Sequence, residues 1–205
     1  MNETRWMRLM AALGIPAEIE TFRAIDAAYS ERHRHYHTSE HIEHCLREFD
    51  ASASLAREPA EIELALWFHD AIHDPYKSDN EERSADWACT LLEKHGVDVA
   101  RVDRVRGHIL ATRHAAPATT PDSQLLVDID LSILGADEHA YAAFEVSVRR
   151  EYRWVPSLLF RRKRAEILES FLARPRIYMT GPFHQRYEAS ARRNLAQAIA
   201  ALRRT

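Results

Sequence analysis

Apolar residues recur at three- and four-residue spacing along almost the whole chain, and hardly any segment alternates strictly between apolar and polar. That periodicity is helical, so a fold built on hairpins is excluded from the start. Turn material is scarce as well: the 205 residues include 5 Gly and 8 Pro, while hydrophobic residues make up 46 %. The expected fold class is therefore all-α, a helical bundle forming a single domain over residues 1–205.

Start and stop signals divide the chain into successive helices. Asn2 or Thr4 caps a first helix carrying Trp6, Leu9, Met10 and Leu13. Gly14 and Pro16 then break it and open a second through Ile19, Phe22 and Ile25. A third begins near Thr38 or Ser39 and puts His41 and Cys45 on one stripe. Pro59 opens the most apolar helix, which runs to His69 and Asp70. Ser78 precedes a long amphipathic stretch ending near Gly96, and Asp98 caps the next helix. The run LLVDIDLSILG reads as a short helix, although its period does not exclude a strand. Asp137 opens a helix to about Val155, Pro156 another to about Ala173, and the last spans about Phe183 to Leu202.

Charge and cysteine content narrow the function classes. With 28 Lys+Arg against 31 Asp+Glu the net charge is −3, which argues against a general nucleic-acid or membrane-surface binder. Two cysteines make no disulfide framework, and no run approaches the ~20 apolar residues of a membrane span. The opening MNETRWMRLM has no apolar signal core, so a cytoplasmic location is expected.

Histidine is the anomaly, with 12 residues against two cysteines. It is the commonest metal ligand and titrates near neutral pH. In FHDAIHDP (Phe68 to Pro75) a buried-looking helix ends in two His-Asp pairs. If that helix persists for another turn, His69 and His73 share a face with Asp70 and Asp74 beside them. Upstream lies HRHYHTSEH with His33, His35, His37 and His41, and downstream GHILATRH with His108 and His114. Asp128 and Asp130 then stand in a largely apolar run, where an unpaired charge would cost several kcal/mol and a cation would remove that cost. His44, His95, His139 and His184 are isolated, and Cys45 reads as a small buried hydrophobe.

The order His41, His69-Asp70 and Asp130 on a helical background resembles the HD superfamily of metal-dependent phosphohydrolases, closest to a branch of small predicted phosphohydrolases. The likeness runs through YHTSEHI (Tyr36 to Ile42), HDAIHDP (His69 to Pro75), DNEERSA (Asp79 to Ala85) and DIDLSILG (Asp128 to Gly135). Glu151-Tyr152, Lys163-Arg164 and Arg176 to Thr180 extend it over nearly the whole chain.

The resemblance implies that His41, His69, Asp70 and Asp130 hold a divalent transition metal (Mn, Fe, Co, Ni or Zn). His37 is the alternative to His41, and Asp128 the alternative to Asp130 or else a carboxylate orienting a histidine. His37, His73, His108 and His114 are available for a second ion or for phosphate contacts, with Asp70 bridging two ions. The implied chemistry is hydrolysis of a phosphate ester or anhydride in a small phosphorylated molecule, nucleotides included. Asp70, His73 and Asp74 are the expected catalytic groups, and Lys77, Arg113 and Arg164 the expected substrate-binding cations. Two alternatives stand beside it: an HD-type di-iron oxygenase, and a non-catalytic binding module stapled by a metal. The Trp154, Leu158, Leu159 and Phe160 segment is apolar enough to suggest a homo-oligomer.

Overall fold

The side chain of Asn2 accepts the amide of Arg5 and so starts α1 (Glu3–Leu13), which Gly14 ends in the left-handed region at φ 75°. Asp98 does the same for the amides of Ala100 and Arg101 ahead of α6 (Val99–Ala111), and Asp137 for that of Ala140 ahead of α8 (Glu138–Glu151). Pro59 occupies the first turn of α4 (Pro59–Phe68), where its missing N–H costs nothing. These local devices explain why the helix starts lie where the sequence predicts them.

The structure, a computed structural model, describes residues 1–204. The remaining helices are α2 (Ile19–Ala28), α3 (Ser39–Ser52), α5 (Asn80–Lys94), α7 (Pro121–Asp130), α9 (Ser157–Leu172) and α10 (Gly181–Arg203). Short 3-10 turns cover Ala53–Leu55 and Leu131–Gly135, and there is no strand among the described residues. The run LLVDIDLSILG is helical, ending α7 and forming the second 3-10 turn. The packing forms two compact units, Met1–Val127 and the chain from Asp128 onward.

In the first unit α4 is the central element, packed against α1, α3, α5 and α6. Its Ile62, Leu64, Leu66, Trp67 and Phe68 are all buried. Trp6 meets Trp67 edge-on at 5.5 Å, and Trp87 meets Phe68 at 5.5 Å. Glu61 is buried too, a charge tolerated because Arg101 and Arg104 of α6 donate to its carboxylate at 3.1 and 2.7 Å. A helix buried on every side places its last residue, and hence His69, in the interior.

In the second unit α10 packs against α9 and the 3-10 turn. Asn194 donates to the carbonyls of Leu134 and Ala136, both at 2.9 Å, and the Tyr178 hydroxyl donates to that of Leu131. Gly135 is required here: a Cβ on it would lie 2.6 Å from Tyr187 Cβ and 2.9 Å from the Tyr187 carbonyl oxygen.

Candidate metal centre

The His-Asp motif is not a continuation of α4. The helix stops at Phe68, and side-chain donors take carbonyls at and beyond its end. His69 Nδ1 lies 2.9 Å from the Leu66 carbonyl, and the buried Tyr29 hydroxyl donates to that of Trp67 at 3.1 Å. Arg34 donates to the carbonyls of Asp70 (2.6 Å), Ala71 (2.8 Å) and His37 (3.2 Å). The expectation that His69 and His73 share one helical face is therefore corrected. His69 caps the helix and His73 follows in a turn.

That turn has its own supports on α5. Asn80 accepts the Asp74 amide and donates to the Asp74 carbonyl, both at 3.0 Å. One helical turn later, Ser84 Oγ accepts the Ile72 amide at 3.0 Å. The DNEERSA segment thus builds the cradle of HDAIHDP, and an Asp74 oxygen accepts the Tyr76 amide at 2.9 Å.

Three predicted ligands meet inside the first unit. His41 Nε2 lies 3.2 Å from His69 Nε2, and Asp70 Oδ2 lies 3.4 Å from the former and 3.0 Å from the latter. Both imidazoles are buried. The Leu66 carbonyl can only accept, so His69 Nδ1 carries a proton, and in the neutral imidazole Nε2 faces the others with a lone pair. Converging lone pairs and a carboxylate repel unless a proton or a metal ion sits among them. Donors ~2.1 Å from one metal ion stand ~3.0 Å apart at right angles and ~3.4 Å apart at tetrahedral angles, so these spacings fit a common ion.

Burial alone would push the Asp70 carboxyl up, but His69, His37 and His41 together hold it well below the usual carboxylate range. Burial and the Asp70 charge raise the Tyr29 phenol, keeping it a donor.

Beside the triad the rings of His37 and His73 stack at 4.2 Å, and each offers a nitrogen within 4.8 Å of the other's. His33 continues the stack 6.1 Å from His73 and bonds the His73 carbonyl at 2.8 Å. Cys45, one turn after His41, brings its Sγ to 3.7 Å from His41 Nε2. His41, His69 and Cys45 offer ligand atoms within 4.8 Å of one another. Buried groups of this kind can hold a metal ion.

The other predicted residues have different surroundings. His108 Nδ1 pairs with Ser123 Oγ at 2.9 Å, and burial lowers its pKa. His114 follows α6 at φ 55°, a left-handed conformation costly for a side-chain-bearing residue and common at functional turns. Arg113 is ion-paired with Glu82, and Arg164 with Glu145 at 2.7 Å, so each already has a carboxylate partner. Lys77 is exposed.

In the second unit Asp130 closes α7 and is half-buried. Asp128 is fully buried and accepts the amides of Met179 (2.8 Å) and Thr180 (2.7 Å) and the Thr180 hydroxyl (2.6 Å). The expectation that Asp128 orients a histidine is corrected: its oxygens anchor the segment leading into α10. Burial raises its pKa, with these hydrogen bonds opposing.

Sequence reasoning missed Arg34 and Tyr29 as supports of the motif. Arg34 is buried, bonds Glu31 at 2.9 Å and lies 5.1 Å over the Tyr29 ring. The available signal was a lone arginine inside a histidine cluster. No family model matches the chain, and neither a curated protein nor a solved structure does.

Proposed function

We propose that the chain is an HD-type, metal-dependent phosphohydrolase acting on a small phosphorylated molecule, with nucleotides among the candidates. Its metal is held by His41, His69 and Asp70 of the first unit. The observation that carries the reading is the approach of three electron-pair donors to within 3.0 to 3.4 Å of one another, an arrangement relieved by a cation. When bound, a divalent transition ion withdraws charge from phosphoryl oxygens and makes water acidic enough to attack near neutral pH. His37 and His73 are available as donors to those oxygens or as ligands of a second ion. His73 and Asp74 are the groups available to accept a proton, and Lys77 is a cation open to an anionic substrate.

The test is turnover by metal-reconstituted protein on a panel of phosphomonoesters, phosphodiesters, nucleotides and dinucleoside polyphosphates. Hydrolysis of at least one member should fall by ~100-fold or more in His69→Ala and Asp70→Ala. No turnover across the panel would overturn the proposal, and oxygen uptake in its place would favour the di-iron alternative.

The Cys45 thiol 3.7 Å from His41 supports a second reading, a structural metal with a sulfur ligand. In that case Cys45→Ser loses the metal, whereas the hydrolase reading has Cys45→Ser retain it.

A further inference from the structure

The net charge of −3 averages over two unlike halves. The first unit holds 14 Lys+Arg against 22 Asp+Glu, and the second 14 against 9. Within the second, the segment Arg149 to Arg164 (RREYRWVPSLLFRRKR) carries seven basic residues and one acidic one around an apolar centre.

This segment forms the turn between α8 and α9, and Arg149 shapes it. Its guanidinium donates to the carbonyls of Tyr152 (2.6 Å) and Val155 (3.1 Å) and lies 4.6 Å over the ring of the buried Phe160. On that base Leu158 is 82 % exposed, Leu159 48 % and Trp154 47 %. Arg162 and Lys163 follow Leu158 and Leu159 by four residues on α9, one turn or ~6 Å further along the axis. Arg150 and Arg153 flank the turn on the α8 side and are exposed. Glu166 pairs with Arg162 and Lys163 at 3.1 and 2.9 Å, but these pairs lie open to solvent and are weak.

We propose that this tip docks on the surface of an anionic lipid bilayer. Leu158, Leu159 and Trp154 enter the boundary between headgroups and acyl chains, and Arg150, Arg153, Arg162 and Lys163 meet lipid phosphates. The ~6 Å offset between leucines and cations matches the ~5–10 Å depth to which interfacial helices bury their apolar face. Trp beside Arg and Lys is also the composition of membrane interfaces. A second copy of the chain fits less well, because a two-fold contact through this face sets basic side chains against their own copies. Nucleic acid would satisfy the cations and leave the leucines in water. The proposal is independent of the metal site.

Full-length protein is sedimented with phosphatidylserine-rich vesicles and with pure phosphatidylcholine vesicles. Binding is expected only to the former, weakening as salt rises from ~0.05 to ~0.5 M. It should fall at least ~tenfold in Leu158→Ser/Leu159→Ser and in Arg150→Gln/Arg153→Gln, with circular dichroism unchanged since all four positions are exposed. Brominated lipid should quench Trp154 fluorescence, a signal absent from Trp154→Phe. The proposal is overturned if the protein does not sediment with phosphatidylserine vesicles or if the leucine variant binds as tightly. A dimer in sedimentation velocity that the leucine variant abolishes also overturns it, as does equal retention on poly-glutamate.

Discussion

Arg34 illustrates what one buried side chain contributes to the motif. A guanidinium presents a planar fork of donors, and here the fork spans three carbonyls from two segments, one carrying His37 and the other Asp70. Lysine keeps the charge but cannot reach all three. Arg34→Lys is therefore expected to bind metal ~10- to 100-fold more weakly than the unmodified protein in isothermal titration, the range seen when supports of metal ligands are removed. Equal affinity would show that the clamp is not needed to hold Asp70.

A second residue, Glu18, ties α2 to the end of α5. Its carboxylate accepts from Lys94 at 2.8 Å, His95 at 2.5 Å and Thr21 at 3.0 Å. The bonds to Lys94 and then His95 hold its pKa down to about 2. A lowered pKa stabilises the fold fully above the unfolded value of ~4.3, and that stability is lost as pH falls from there through about 2. Thermal melts should place Glu18→Gln below the unmodified protein at neutral pH, with the gap closing toward pH ~2. A gap that persists in acid would contradict the assignment.

Helix starts are short-range matters, and Asn2, Pro59, Asp98 and Asp137 are legible because each satisfies or removes a donor within its own first turn. The end of α4 is different in kind. The side chains that hold its end and the turn beyond, Tyr29 and Arg34, lie more than thirty residues earlier, so spacing within the motif does not announce them. Gly135 is likewise visible only in three dimensions. Gly135→Ala brings a methyl group onto the Tyr187 backbone, and overpacking of this kind costs ~1–3 kcal/mol or more. Its melting temperature should drop by at least ~2 °C, while a variant as stable as the parent would mean that α10 can shift away.

For the whole molecule, the class of fold was legible, whereas the exposure of Trp154, Leu158 and Leu159 beside the basic run was not. A helical period repeated along 205 residues leaves few alternatives, and the ten helices among the described residues follow it. Net charge, by contrast, is a sum, and it averages over the basic tip at Trp154 to Lys163. The site was read in part. Of the four ligands the resemblance implies, His41, His69 and Asp70 come together in the first unit. His108, paired with Ser123, and Arg164, paired with Glu145, have partners that only the packed chain reveals.

In the proposed function a metal ion sits among His41, His69 and Asp70. Anomalous diffraction from crystals of the full chain, collected above and below the absorption edges of the metals found by elemental analysis, tests it most directly. A peak is expected within ~2.0–2.3 Å of His41 Nε2, His69 Nε2 and an Asp70 oxygen. No peak there in metal-replete crystals, or one bonded to Cys45 Sγ without Asp70, would contradict it.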